Sequence, residues 1–125
     1  MRPIPQKLRQ EMAGITLLGR PISTNNCYYH AGRGLTFLKA KARDLKSSYC
    51  DQILKQWKKE PLDKELEIHI KIYHDRKTKS DWDNFHKLSM DAMNGLVWVD
   101  DSQIQKATVE KFYDKANPRI EIDIL

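Results

Sequence analysis

Long apolar runs are missing from this chain, and Met1-Arg2-Pro3-Ile4-Pro5-Gln6, which lacks a signal-peptide hydrophobic region, is not expected to act as a leader. No segment approaches the roughly 20 apolar residues that a membrane-crossing helix needs. The sequence therefore predicts a soluble cytoplasmic protein with no membrane partner. Cysteine is scarce too. Cys27 and Cys50 are the only two, neither in CxxC spacing nor beside paired histidines, which excludes a cysteine zinc site and a disulfide framework. Repeats and low-complexity tracts are also lacking. With 40% of its 125 residues hydrophobic, the chain has material for one core and one domain.

Acid is the minority charge, with 17 Asp and Glu against 22 Lys and Arg and a net charge of +5. That balance favours a polyanionic partner, although a merely solvated basic surface fits the total equally well. Five of the acids, Asp81, Asp83, Asp91, Asp100 and Asp101, nevertheless fall in one short stretch that also holds Lys87. The rest of the surface must be correspondingly more basic.

The remaining sequence divides into a loose arm (1–13) and a domain (14–125). Gly14 to Gly19 reads as a first strand, and Arg20 to Asn26 as a turn-rich loop. Tyr28, Tyr29 and His30 then lead into the basic connection Ala31-Gly32-Arg33-Gly34. Tyr29 and Arg33 are candidates for stacking on bases or gripping phosphate. Leu38, Ala42, Leu45, Tyr49, Ile53 and Trp57 recur at helical spacing, predicting a long amphipathic helix over 38–59 with its lysines mostly off the apolar stripe. Leu66, Ile68, Ile70 and Ile72 alternate with polar residues, which is a half-buried strand. A basic loop follows, in which Arg76, Lys77 and Lys79 are further nucleic-acid-binding candidates. A second helix is expected to start at Ser80 or Asp81 and to stop at Gly95. Val97-Trp98-Val99 would carry Asp100 and Asp101 back toward its start. Residues 104–113 and 119–125 are expected to form a C-terminal hairpin. The fold class is α+β: a small mixed sheet packed with one long and one shorter helix, in a single domain.

Crowded carboxylates repel one another and need cations. Lys87 is one, and a hard divalent ion held by a few carboxylates is the natural other, Mg²⁺ being the expected cofactor with Mn²⁺ as an alternative. In phosphodiester hydrolysis such an ion activates water and shields charge building on the phosphate oxygens. Spacing alone fits equally well a helix cap at Asp81, an Asp83 to Lys87 salt bridge and a turn at Asp100-Asp101.

The run Asp81-x-Asp83-Asn84, with Lys87, Asp91, Gly95, Trp98 and Asp100-Asp101-Ser102-Gln103, resembles the signature of the RusA family of Holliday-junction resolvases of bacteria and their phages. Pro21-x-Ser23-x-Asn25-Asn26-x-Tyr28-Tyr29 is similar to that family's opening segment. The resemblance implies a homodimeric, Mg²⁺-dependent endonuclease of bacterial or phage-infected cells that places paired nicks across four-way junction DNA. It assigns Asp81, Asp83 and Asp101 as metal-binding acids, Lys87 as the catalytic lysine, Asp100 as a further ligand and Asp91 as a cap or bridge. Trp82, Trp98, Phe112 and the exposed sheet face are candidates for the dimer surface. Two departures bear on DNA affinity: Thr78 breaks the basic loop, and the Asn94-Gly95 connection is a residue tighter than in some members. A non-catalytic basic DNA-binding module, or a metal nuclease for other branched DNA, are the rival readings.

Overall fold

A computed structural model describes residues 13–77, 82 and 84–125. Its elements in chain order are β1 (Ala13–Leu18), a one-turn α1 (Thr24–Cys27), β2 (Tyr28–His30), β3 (Thr36–Leu38), α2 (Ala40–Gln56), β4 (Leu66–His74), α3 (Lys87–Met93), a 3-10 turn (Asp101–Gln103), β5 (Ile104–Tyr113) and β6 (Arg119–Ile124). Four strands form one mixed sheet in the order β1-β6-β4-β5, and β2 with β3 form a separate two-stranded ribbon. The expected α+β class is what the chain adopts.

β4 takes the centre because its alternation is the strongest in the chain. Leu66, Ile68, Ile70, Ile72 and His74 are buried while the residues between them are half-buried. Ile120, Ile122 and Ile124 of β6 and Ile15 and Leu17 of β1 continue that inner face, and α2 and α3 cover it with Ala42, Tyr49, Ile53, Leu88, Ala92 and Met93. Each large side chain so buried contributes about 1.5–3 kcal/mol.

The expected C-terminal hairpin is not formed. β5 runs parallel to β4 on one side, and β6 runs antiparallel to it on the other. β4 therefore lies between the two strands that were to pair. A parallel neighbour demands a crossover, which the segment holding α3 supplies. The link from β5 to β6 crosses the end of β4, where the Asp114 N–H donates to the His74 carbonyl at 2.8 Å. Arg119 pins this link. It donates to the Asp114 carboxylate and to the Asn117 carbonyl, both at 2.8 Å, and lies 3.7 Å from the centre of the Tyr73 ring.

The second helix is also shorter than expected. It begins at Lys87 with His86 as its N-cap, so Asn84 and Phe85 lie in the bend ahead of it. Ser89 donates to the His86 carbonyl at 2.7 Å, an interaction that holds the bend against the first turn. The long helix likewise loses residues at both ends, since Leu38 belongs to β3 and Trp57 is the C-cap.

Trp98 is fully buried and so is not an interface residue. Its indole N–H donates to the Asn94 side chain at 2.7 Å, and its carbonyl accepts from Gly95 N at 2.7 Å. Gly95 sits at φ +80°, a conformation that favours glycine, and this closes α3 so that the chain can turn back. Leu62 then clamps Val97 and Val99 through two backbone bonds, and the Gln103 side chain donates to the Leu62 and Lys64 carbonyls. Asp100 and Asp101 are thereby fixed at the mouth of β5. No helix among the described residues is long and apolar enough to cross a membrane.

Candidate active site

The first turn of α3, the α1 turn and the 3-10 turn ahead of β5 enclose an open cleft of about 420 Å³ lined by Thr24, Asn25, Asn84, Lys87, Asp91 and Asp101, among others. Asp101 thus lines the same cleft as Lys87. Asp81 and Asp83, the other two expected metal-binding acids, lie outside the described residues, as does Lys79. Asn84, the neighbour of Asp83, is a wall of the cleft and is firmly held. Its carbonyl accepts from Thr24 N at 2.6 Å and from Thr24 Oγ1 at 3.1 Å.

The acids that are described divide by role. Asp91 accepts from the Tyr28 hydroxyl at 2.8 Å through one oxygen, while the other lies 3.6 Å from Lys87 Nζ, one turn away on α3. Burial first, and then this carboxylate, raise the Tyr28 hydroxyl far above the ordinary phenol range, so it stays a donor. Asp100 caps the 3-10 turn. Its carboxylate accepts from Ser102 N at 3.1 Å while its own N–H donates to Gln103 Oε1 at 2.8 Å, a reciprocal capping box. The bonds from Ser102 hold its carboxyl below the ordinary aspartate range. Asp101, by contrast, is exposed; its backbone carbonyl accepts from Ile104 N, but its carboxylate makes no hydrogen bond or ion pair among the described residues.

That distribution suits a hard cation. Asp101 offers free oxygens in a cleft open enough for the ion to keep water, and the lysine beside it is already balanced by Asp91. No group of three metal-binding side chains occurs among the described residues, so Asp101 would need partners from outside them. Asp100 commits one carboxylate oxygen to its cap.

The remaining expected contacts lie around this cleft. Tyr29 stacks on Phe37 at 5.6 Å across the β2-β3 ribbon, with both rings about half exposed. Arg33 stands at the ribbon's exposed tip with φ +52°, between two glycines that also have positive φ. Arg76 and Lys77 are exposed just past β4. Asn84 also walls a second cleft, of about 620 Å³, that carries Arg20, Lys41, His74 and Arg76. Arg20 is 3.2 Å from Asp75 there. Neither Arg20 nor the Tyr28 and Thr24 contacts were readable from spacing, because their partners lie more than fifty residues away in sequence. The nearest signal was the polar run Ser23 to Tyr28, which the opening-segment resemblance covers.

A two-layer α+β domain with a lysine and carboxylates gathered in one open cleft, on a basic chain, is an arrangement that a small phosphate-handling enzyme can use. The profile of the RusA endodeoxyribonucleases matches residues 19–125, and the chain belongs to that family. A shorter similarity links it to the uncharacterized protein YqaN of Bacillus subtilis (strain 168), 47% identical over 47 residues. That match covers 38% of this chain and 32% of the relative.

Proposed function

We propose that this protein is a divalent-metal-dependent, structure-specific endonuclease that resolves four-way DNA junctions by paired symmetric nicks, in recombination and repair. The observation that carries the reading is the meeting of Asp101, Lys87 and Asp91 in one cleft, all within the span 19–125 that the family profile matches. Asp81, Asp83 and Asp101 would hold the ion, Mg²⁺ or Mn²⁺, with Asp100 available through its second oxygen. The ion supplies an activated water and a counter-charge for the phosphate.

The chain's own residues do the rest. Lys87 places a fixed positive charge where the scissile phosphate gains negative charge, an arrangement worth about 2.7–4 kcal/mol for a well-aimed donor. Asp91 and Tyr28 orient that lysine. Thr24 holds the Asn84 end of the segment that bears Asp81 and Asp83. Exposed cations at Arg33, Arg76 and Lys77, with Tyr29, and Lys79 shortly after in sequence, would take the flanking strands. Such contacts give affinity that falls with salt but little sequence preference. A homodimer with two equivalent clefts matches the two-fold symmetry of a four-way junction.

The test is a nicking assay on a synthetic four-way junction, a fork and a plain duplex. Symmetric nicks in the junction are expected, and Asp81→Asn and Asp83→Asn should bind without cutting. Equal cutting of all three substrates would remove the junction from the proposal, and full activity in both variants would remove those residues.

A further inference from the structure

The two edges of the main sheet are treated differently. On β1, Gln56 both accepts from Thr16 N at 2.9 Å and donates to Thr16 O at 2.7 Å. Gln52 does the same for Leu18, at 2.7 and 3.0 Å. Two side-chain amides of α2 thus occupy the outer hydrogen-bonding positions of β1 and keep another strand away. The opposite edge, β5, has no such cover among the described residues. It is ten residues long, and eight of them are exposed. A long bare edge is a template for another strand, and natural proteins usually block one unless it is used.

The sequence of β5 is complementary to itself. Lys106, Thr108 and Glu110 lie opposite Glu67, His69 and Lys71 on the open face of the sheet, while Ala107 and Val109 lie opposite Ile68 and Ile70 on the helix side. A two-fold axis perpendicular to the sheet pairs β5 with a second β5 antiparallel and keeps like faces together. If the axis passes through Thr108, Lys106 falls opposite Glu110 of the copy twice, and Ala107 opposite Val109 twice. Centring on Glu110 instead sets two glutamates together, and centring on Val109 sets Ala107 against Lys111. Thr108 is the centre that satisfies both faces.

We propose that β5 is the surface on which a second copy of this chain docks, edge to edge about Thr108, to make one continuous eight-stranded sheet. It deepens the reading above by saying where the second copy of the resolvase sits. Neither DNA nor metal enters its test, so its failure leaves the nuclease reading standing.

Sedimentation equilibrium of the full chain decides it, with charge swaps as the probe. Lys106→Glu or Glu110→Lys alone turns two opposite-charge pairs into like-charge pairs and should weaken the dimer about tenfold or more. The double swap should return it to the wild-type value. Within one chain Lys106 already pairs with Glu67 and Glu110 with His69. The double swap spoils both of those contacts, so recovery can come only from the pairing between copies. In parallel, Thr108→Cys should form a disulfide-linked dimer on mild oxidation while Cys27, which is buried, does not react. A wild-type monomer, single swaps without effect, a double swap that stays weak, or a Thr108→Cys dimer that fails to cross-link would each overturn the proposal.

Discussion

Tyr28 and Asp91, sixty-three residues apart, share a 2.8 Å hydrogen bond that joins the α1 turn to the helix carrying Lys87. Because the acceptor is a carboxylate that also faces Lys87 Nζ, the tyrosine decides where the lysine's charge sits. Tyr28→Phe should cost about 1.5 kcal/mol of stability, the low end for a bond to a charged group because the site is only partly buried. It should slow cleavage roughly tenfold to a hundredfold through misplacement of the lysine. Single-turnover rates on bound junction should carry the loss, with junction affinity nearly unchanged. An unchanged rate would show that Lys87 needs no such support.

Asp100 and Asp101 are neighbours with opposite duties, and their asparagine variants should separate. Asp101→Asn should abolish metal-dependent cutting while thermal stability holds. Asp100→Asn should lower the melting temperature, because its carboxylate caps the turn, and should leave a measurable share of activity. The Asp100 carboxyl is held below its ordinary value of 3.8, so its contribution is complete above that value and fades as pH falls through the lowered one. Melting curves in acid should therefore converge for wild type and Asp100→Asn.

His74 is 6% exposed, edge-on to Phe85 at 4.6 Å. Burial, reinforced by Lys111 and opposed by Asp75, lowers its pKa below the ordinary 6.5. The unfolded chain then binds the proton more readily than the folded one. Stability should be complete above the ordinary value and decline as pH drops through it toward the lowered one. Urea unfolding between about pH 7.5 and about pH 5.5 should show a steeper loss in wild type than in His74→Gln. Parallel slopes would place the pH sensitivity in other groups.

The glutamine clamp on β1 predicts an aggregation phenotype. Gln52→Ala with Gln56→Ala removes six hydrogen bonds in exposed positions, four of them to β1, for a loss of about 3 kcal/mol at the low end for each bond. It also uncovers a strand edge. Light scattering should rise with concentration in the double variant and stay flat in wild type.

Much of this architecture was legible in the sequence because it rests on local period. Alternating isoleucines announced β4 and β6, and the stripe from Ala42 to Trp57 announced α2. Strand partnership was not legible, since the apolar alternation of β6 is satisfied equally by a hairpin with β5 or by the far side of β4. Only the crossover through α3 decides between them. The helix start misled for a related reason: Ser80 and Asp81 are good caps, yet the Thr24 bonds hold Asn84 in a bend, so the helix waits until Lys87. Trp98 was offered as surface because an isolated tryptophan carries no period. The β2-β3 ribbon was hidden by the glycines at its tip. Of the site, Asp101 and Lys87 were singled out in the sequence and line one cleft, whereas the Tyr28 contact depends on folding that spacing cannot encode.

The most direct measurement is the rate of nicking of a four-way junction by the purified protein as Mg²⁺ is titrated in and then chelated. The account predicts paired nicks that rise with the ion, vanish on chelation and return when it is restored. Nicking that persists undiminished in chelator would contradict it.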